Sequence, residues 1–288
     1  MKKILTLVLM LFTLGSSGCV FLGRDTGQVI YGFDDRKDYY EMFNRIQRET
    51  SGSVLSAWNK DQLIPQLDGS YELYTIDFGY AYNLALTEPF RNQPIGAHCT
   101  AFLVAPDIIV TAGHCVSSID LLQKRWVFGF RMLNNEKCNT RIEPSEVYKG
   151  KEIIARQLLN GEEDFAVVRL DRPVVGHTPL KVSRENVKLG EKIYVLGHPC
   201  GLPIKLADNG KVISNSNPYY FEATLDTYGG NSGSPVFNKK GEVVGILVRG
   251  QKDFISRDGK NYSNMVSENT VRGEGVTRTS QFLKYLPE

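Results

Sequence analysis

The segment TAFLVAPDIIVTAGHC, Thr100 to Cys115, holds two runs of β-branched, aromatic and small apolar residues on either side of Pro106-Asp107. Proline cannot donate to a sheet ladder and aspartate favours turns, so the pair punctuates two short strands. Working outward, the same signature recurs in RWVFGF (Arg125–Phe130), DFAVVRL (Asp164–Leu170), KIYVLG (Lys192–Gly197), YYFEATL (Tyr219–Leu225) and EVVGILV (Glu242–Val248). Gly, Pro, Asn and Asp separate these runs. Many short strands with turn signals predict an all-β sandwich or barrel, not alternating helices and strands. DRPVVGHTPLKVSRE (Asp171–Glu185) carries two prolines and divides the pattern, so two β units of about 100 residues are expected, each suited to a small closed barrel. The first is read as residues 71–175 and the second as 176–275.

The flanks read differently. MKKILTLVLMLFTLGSSGC sets Lys2 and Lys3 before an apolar run from Ile4 to Leu14 and then small residues, which is the pattern of an export signal over residues 1–18. That run is about half the ~20 residues a spanning helix requires. Cys19 resembles the lipidated cysteine of bacterial lipoproteins, except that Ser16 stands where their usual Leu falls. Two fates fit, a lipid anchor in the cell envelope or cleavage and secretion. Residues 19–70 form an N-terminal extension and the start of the main domain, in which Tyr40, Phe43 and Ile46 at helical spacing predict a surface helix over Lys37–Glu49. SQFLKYL (Ser280–Leu286) predicts a helix within the closing residues 276–288. Of 288 residues 42% are apolar, enough for a sizeable core. Thirty-four basic against thirty-two acidic residues give a formal charge of +2, without a long run of one sign, so no nucleic-acid partner is expected.

GGNSGSP (Gly229–Pro235) surrounds one hydroxyl with a permissive backbone. Its glycines can turn successive N–H groups into a concave anion pocket beside Ser232. A serine needs a base to become a nucleophile, usually a histidine held by a carboxylate. Of the four histidines, His114 follows a strand and precedes Cys115, where a disulfide would clamp it. Asp164 stands at the mouth of an apolar strand, placed to sit under an imidazole. His98, His177 and His198 read as structural or peripheral, and no His/Cys/Asp cluster has metal-ligand spacing. Neither cofactor nor metal is expected. Export implies an oxidising compartment, and Cys99, Cys115, Cys138 and Cys200 allow three pairings.

TAGHC, DFAVVRL and GGNSGSPV, in the chain order His, Asp, Ser, resemble the trypsin-like (chymotrypsin-fold) serine peptidases. VIYGFDDR, KIYVLGHPCGLP, GGNSGSPVFNKKGEVVGI and QFLKYL are similar to the bacterial glutamyl-endopeptidase-like (V8-like) branch, so that the likeness covers most of residues 29–288. The resemblance implies two six-stranded antiparallel β-barrels with a C-terminal helix and a monomeric endopeptidase acting on polypeptides. It implies His114 as base, Asp164 as its orienter, Ser232 as nucleophile and the Gly230 and Ser232 N–H groups as oxyanion hole. It also implies a Cys99–Cys115 disulfide, which leaves Cys138 to pair with Cys200. Asp226, Thr227, Val248 and Gly250 would line the primary pocket, where Asp226 would favour Arg or Lys side chains unless Arg249 neutralises it, or would instead cap the turn that shapes the pocket. Leu247 replaces a histidine of the glutamyl endopeptidases, which argues against Glu specificity. Asn231 replaces the aspartate that in trypsin pairs with a new N-terminal ammonium, so the pocket is expected to form without one.

Overall fold

The computed structural model describes residues 29–159, 163–250, 252–267, 269 and 272–287. The export signal and Cys19 lie outside them.

Thr100–Cys115 folds as read. Cys99–Ala105 and Ile108–Thr111 pair antiparallel around Pro106-Asp107, with Phe102 opposite Val110. In chain order the strands that matter here are β1 (Lys37–Asp38), β2 (Val54–Asn59), β3 (Cys99–Ala105), β4 (Ile108–Thr111), β5 (Lys124–Val127), β6 (Val147–Tyr148), β7 (Gly150–Leu159) and β8 (Glu163–Leu170). The later ones are β9 (Lys192–Gly197), β10 (Lys205–Ser214), β11 (Tyr220–Thr224), β12 (Pro235–Asn238), β13 (Val243–Arg249) and β14 (Glu274–Arg278).

The first sheet runs β6-β5-β2-β3-β4-β8-β7 and curls into a half-barrel. The second runs β9-β12-β13-β14-β11-β10, and β9 also pairs with β10, so six strands close into a barrel with no free edge in the ring. β1 adds to its outside through Lys205 opposite Asp38. This is the chymotrypsin-like two-barrel arrangement.

Two expected boundaries shift. The first sheet takes β2 from upstream of residue 71, because VLSAWN is buried at every position but Asn59 and so behaves as a central strand. The helix expected over Lys37–Glu49 begins only at Arg45 and runs to Ser51, as α1. Asn44 caps it, its side chain accepting from the N–H groups of Ile46 and Gln47. Upstream, Lys37-Asp38 is drawn into the sheet, and Phe43 is 92% exposed, so the predicted stripe is not buried.

One core bridges the two units: Phe102, Trp126, Phe128 and Phe165 of the first join Phe237, Ile246 and Phe282 of the second. Each fully buried aromatic of this kind contributes about 1.5–3 kcal/mol of transfer free energy. The C-terminal helical segment takes the form of two 3₁₀ turns, Thr279–Gln281 and Leu283–Tyr285. It packs Phe282 and Tyr285 against Phe165, at ring-centroid distances of 6.2 and 6.0 Å. Phe165 adjoins Asp164, so the chain end braces the strand that carries the candidate acid.

Candidate active site

β4 ends at Thr111, and a 3₁₀ turn over Gly113–Cys115 carries His114 out of the sheet. β8 pairs beside it, Ala166 opposite Thr111, and brings Asp164 under the imidazole. The Asp164 carboxylate is held on both sides: Oδ2 lies 2.7 Å from His114 Nδ1, and Oδ1 accepts the His114 backbone N–H at 3.2 Å. Asp164 is buried and His114 half-buried, so their contact is partly shielded from water while the ring stays reachable. Because a carboxylate accepts, the proton sits on Nδ1, and Nε2 is the nitrogen with basic character. Thr277 of β14 donates its hydroxyl to the Asp164 carbonyl at 3.1 Å, tying the second barrel to the first at this point.

Ser232 comes from the loop between β11 and β12, and three contacts fix where it sits. Thr100 N–H of β3 donates to the Ser232 carbonyl at 2.9 Å, Gly233 N–H donates to the Leu247 carbonyl at 2.8 Å, and Cys115 Sγ lies 3.5 Å from the Ser232 carbonyl. Gly233 adopts φ +89°, and a Cβ there would stand 2.0 Å from the Thr100 carbonyl oxygen, so only glycine lets the loop approach the sheet this closely. The serine turn is thereby latched to β3, to β13 and to the turn that carries His114. Cys99 and Cys115 are joined by a disulfide across 16 positions, with Cα atoms 6.1 Å apart.

The loop also presents its amides. Gly230 has φ +94°, and a Cβ there would meet the His198 carbonyl at 2.6 Å. Cys200 N–H donates to the Gly229 carbonyl at 2.5 Å, which pulls that oxygen toward Cys200. In a trans peptide the following N–H points the opposite way, so the Gly230 N–H faces away from Cys200. Among the described residues neither the Gly230 nor the Ser232 N–H has an acceptor. Asn231 is buried, and Ser234 donates its backbone N–H to the Asn231 carbonyl at 2.9 Å and its hydroxyl to the Asn231 side chain at 3.3 Å. Both of these contacts to Asn231 are between neutral groups.

Residues expected to line the primary pocket have other partners. Asp226 is 6% exposed, and its Oδ1 and Oδ2 accept the backbone N–H groups of Tyr31 and Asp35 at 2.7 and 2.9 Å. Burial, and then the neighbouring Asp35 carboxyl, push its pKa up to about 8. Asp226 thus anchors the VIYGFDDR segment. Thr227 is fully buried and donates its hydroxyl to Glu274 Oε2 at 3.1 Å, while Tyr31 donates to Oε1 at 3.0 Å. Glu274 is itself wholly buried, which raises its pKa well above the carboxylate range. Val248 is buried and Gly250 half-buried at the end of β13. Arg249 stacks over the Tyr220 ring at 4.4 Å.

The expected Cys138–Cys200 bridge is not formed; both are thiols. Cys138 packs with Tyr71, Val127 and Ile142, whereas Cys200 lies in a separate cluster with Ile30, Leu202 and Tyr228. Burial raises both thiols, Cys138 to about 12, and so suppresses the thiolate that disulfide exchange requires. The other histidines have their own surroundings. His98 Nε2 lies 2.7 Å from Lys124 Nζ, His177 stacks on Phe128 at 3.9 Å, and His198 is buried with Nδ1 2.9 Å from the Leu202 carbonyl. Burial, aided by Lys124, lowers His98 to about 3, and burial lowers His198 to about 4. Cys99, His114 and Cys115 bring ligand atoms within 4.8 Å of one another, but the two sulfurs are consumed by their bond and offer no thiolate.

The functional environment contains groups that motif reading did not find. Glu274 accepts from Thr227, Asp253 accepts from the Gly229 N–H and Asp35 lies beside Asp226, and the first two sit in stretches with no spacing signature. Only VIYGFDDR carried a signal, through resemblance, and its physical role is to supply the amides that Asp226 accepts.

Known proteins share parts of this sequence and its fold. The "Extracellular metalloprotease" of Bacillus subtilis (strain 168) is 28% identical over 171 residues, 57% of this chain and 53% of the relative. The "Pro-apoptotic serine protease NMA111" of Coccidioides immitis (strain RS) is 27% identical over 110 residues, 33% of this chain and 11% of the relative. The chain therefore spans about half the length of the first and about a tenth of the second. Among solved structures, a Glu endopeptidase in complex with MPD superposes with a TM-score of 0.51 at 18% identity, over 89% of this chain and 97% of that one. Residues 99–246, which include Cys99, His114, Asp164 and Ser232, match the family described as the trypsin-like peptidase domain. This chain belongs to that family.

Proposed function

We propose that the chain is an exported serine endopeptidase that cleaves polypeptides through an acyl-enzyme, with His114, Asp164 and Ser232 as its triad. The observation that carries this is the 2.7 Å contact from Asp164 to His114 Nδ1, beside a serine loop latched onto the same sheet through Thr100. His114 Nε2 takes the Ser232 proton as Oγ attacks the scissile carbonyl, then returns it to the leaving amine. Asp164 keeps the proton on Nδ1 and stabilises the imidazolium. The Gly230 and Ser232 amides hold the oxyanion, each such donor being worth about 10²–10³ in rate. Water then repeats the sequence on the acyl-enzyme.

The same reading makes Asp226 an anchor for the VIYGFDDR segment, not a charge for Arg or Lys side chains. Both its oxygens are engaged, and burial beside Asp35 raises its pKa, which disfavours the charged form that would recognise a basic side chain. The disulfide supports an oxidising compartment, in line with export and with either a Cys19 lipid anchor or secretion.

Kinetics of single and double variants test the triad. His114→Ala and Ser232→Ala each lower turnover by about 10⁶, and the double variant loses little more, because the pair acts as a unit. Additive losses would contradict the assignment, and a chain that binds peptide without turnover would be a noncatalytic homologue.

A further inference from the structure

The peptide between Gly229 and Gly230 carries the N–H assigned above to the oxyanion, and two glycines give it little rotational restraint of its own. If it flipped, the Gly229 carbonyl would face the hole in place of the amide. Cys200 N–H holds the carbonyl side. On the other side, Gly229 N–H donates to the Asp253 carboxylate, at 3.1 Å to Oδ2 and 3.3 Å to Oδ1. A Cβ on Gly229 would sit 3.3 Å from the same oxygen. We infer that Asp253 is a positioning residue for the oxyanion amide, its carboxylate fixing Gly229 so that the Gly230 N–H stays aimed at the developing charge. This rests on the Ser232 reading above and extends it to a residue no motif marks.

Asp253 is itself held in place. Its carbonyl accepts from Asn264 N–H at 2.8 Å, and the adjacent Ser263 hydroxyl is bonded to Tyr228 of the serine loop. An ionised carboxylate is the stronger acceptor for an amide. Among the titratable groups near it are Arg36, which favours its charge, and Glu274 and Cys200. Arg36 is kept in reach by Asp34, at 2.8 Å from Nε, and by stacking over Tyr228 at 4.1 Å. Burial pushes Asp253 up to about 7, so its hold on the amide weakens as pH falls through neutrality.

The test compares wild type, Asp253→Ala and Asp253→Asn in steady-state peptide hydrolysis and in binding of a peptidyl boronate, whose tetrahedral adduct requires the oxyanion hole. The inference predicts that Asp253→Ala loses at least ~30-fold in kcat, part of the about 10²–10³ one donor supplies, with KM within threefold. Boronate affinity falls by the same factor. Asp253→Asn keeps an acceptor, recovers at least tenfold of the loss, and has a shallower acid limb in kcat than wild type because one titrating group is gone. A folded Asp253→Ala with kcat within threefold of wild type overturns the inference, as does a loss carried by KM. Should the alanine variant not fold, an acid limb in Asp253→Asn as steep as that of wild type overturns it equally. Wild type that turns over no peptide defeats the Ser232 reading itself, whereas active wild type matched by Asp253→Ala defeats only this inference.

Discussion

Removing the Cys99–Cys115 bridge, by changing both residues to serine, perturbs stability and catalysis through one bond. The bridge spans 16 positions, and closing a loop of that size removes about 3 kcal/mol of chain entropy from the unfolded state. For a domain of this size 1 kcal/mol corresponds to roughly 2–4 °C, so the melting temperature should fall by about 6–12 °C in differential scanning calorimetry at fixed scan rate. Turnover should fall as well, because Cys115 follows His114 directly and its sulfur rests 3.5 Å from the Ser232 carbonyl. Both losses should appear together, since the bridge joins the start of β3 to the turn that carries the base. Alkylation of the unfolded, unreduced parent should label Cys138 and Cys200 and spare Cys99 and Cys115. A double variant that melts within 2 °C of the parent and retains full turnover would refute the reasoning.

The buried acids make stability depend on pH with a definite sign. Asp226, raised by burial to about 8, contributes stability that is complete below about pH 4 and is lost as pH rises through 8, at up to about 1.4 kcal/mol per pH unit. Asp226→Asn has no proton to lose, so its melting temperature should decline less than the parent's between pH 5 and 9, and its cleavage-site profile on a denatured proteome should match the parent's. An equal decline, or a profile that loses Arg and Lys sites, would reject the anchor role.

The fold and the site were legible in the sequence to different degrees. Strands were readable because Phe102, Val110, Phe165 and Ile246 fall in short runs between turn residues, whereas β10, which closes the second barrel against β9, lies outside those runs. β2 was missed because VLSAWN is buried on both faces and lacks the alternation that marks a half-exposed strand. The helix over Lys37–Glu49 was overextended because Lys37-Asp38 meets Lys205-Leu206, a pairing with no local trace. His114, Asp164 and Ser232 were legible because their chemistry requires particular residue types in particular turns. Asp226 allowed two readings, a substrate contact or a structural role in the turn, and sequence could not choose because the Tyr31 and Asp35 amides it accepts are separated from it by 195 and 191 positions. Cys138 and Cys200 were paired by counting, and counting does not see that they belong to separate apolar clusters.

The most direct measurement is covalent labelling by a fluorophosphonate in excess chelator, with the adduct mapped by mass spectrometry. A Ser232 nucleophile served by His114 predicts one adduct, on Ser232, that is indifferent to metal removal and vanishes in Ser232→Ala and in His114→Ala. Folded protein that stays unlabelled while cleaving peptides, or activity that the chelator abolishes, would contradict it.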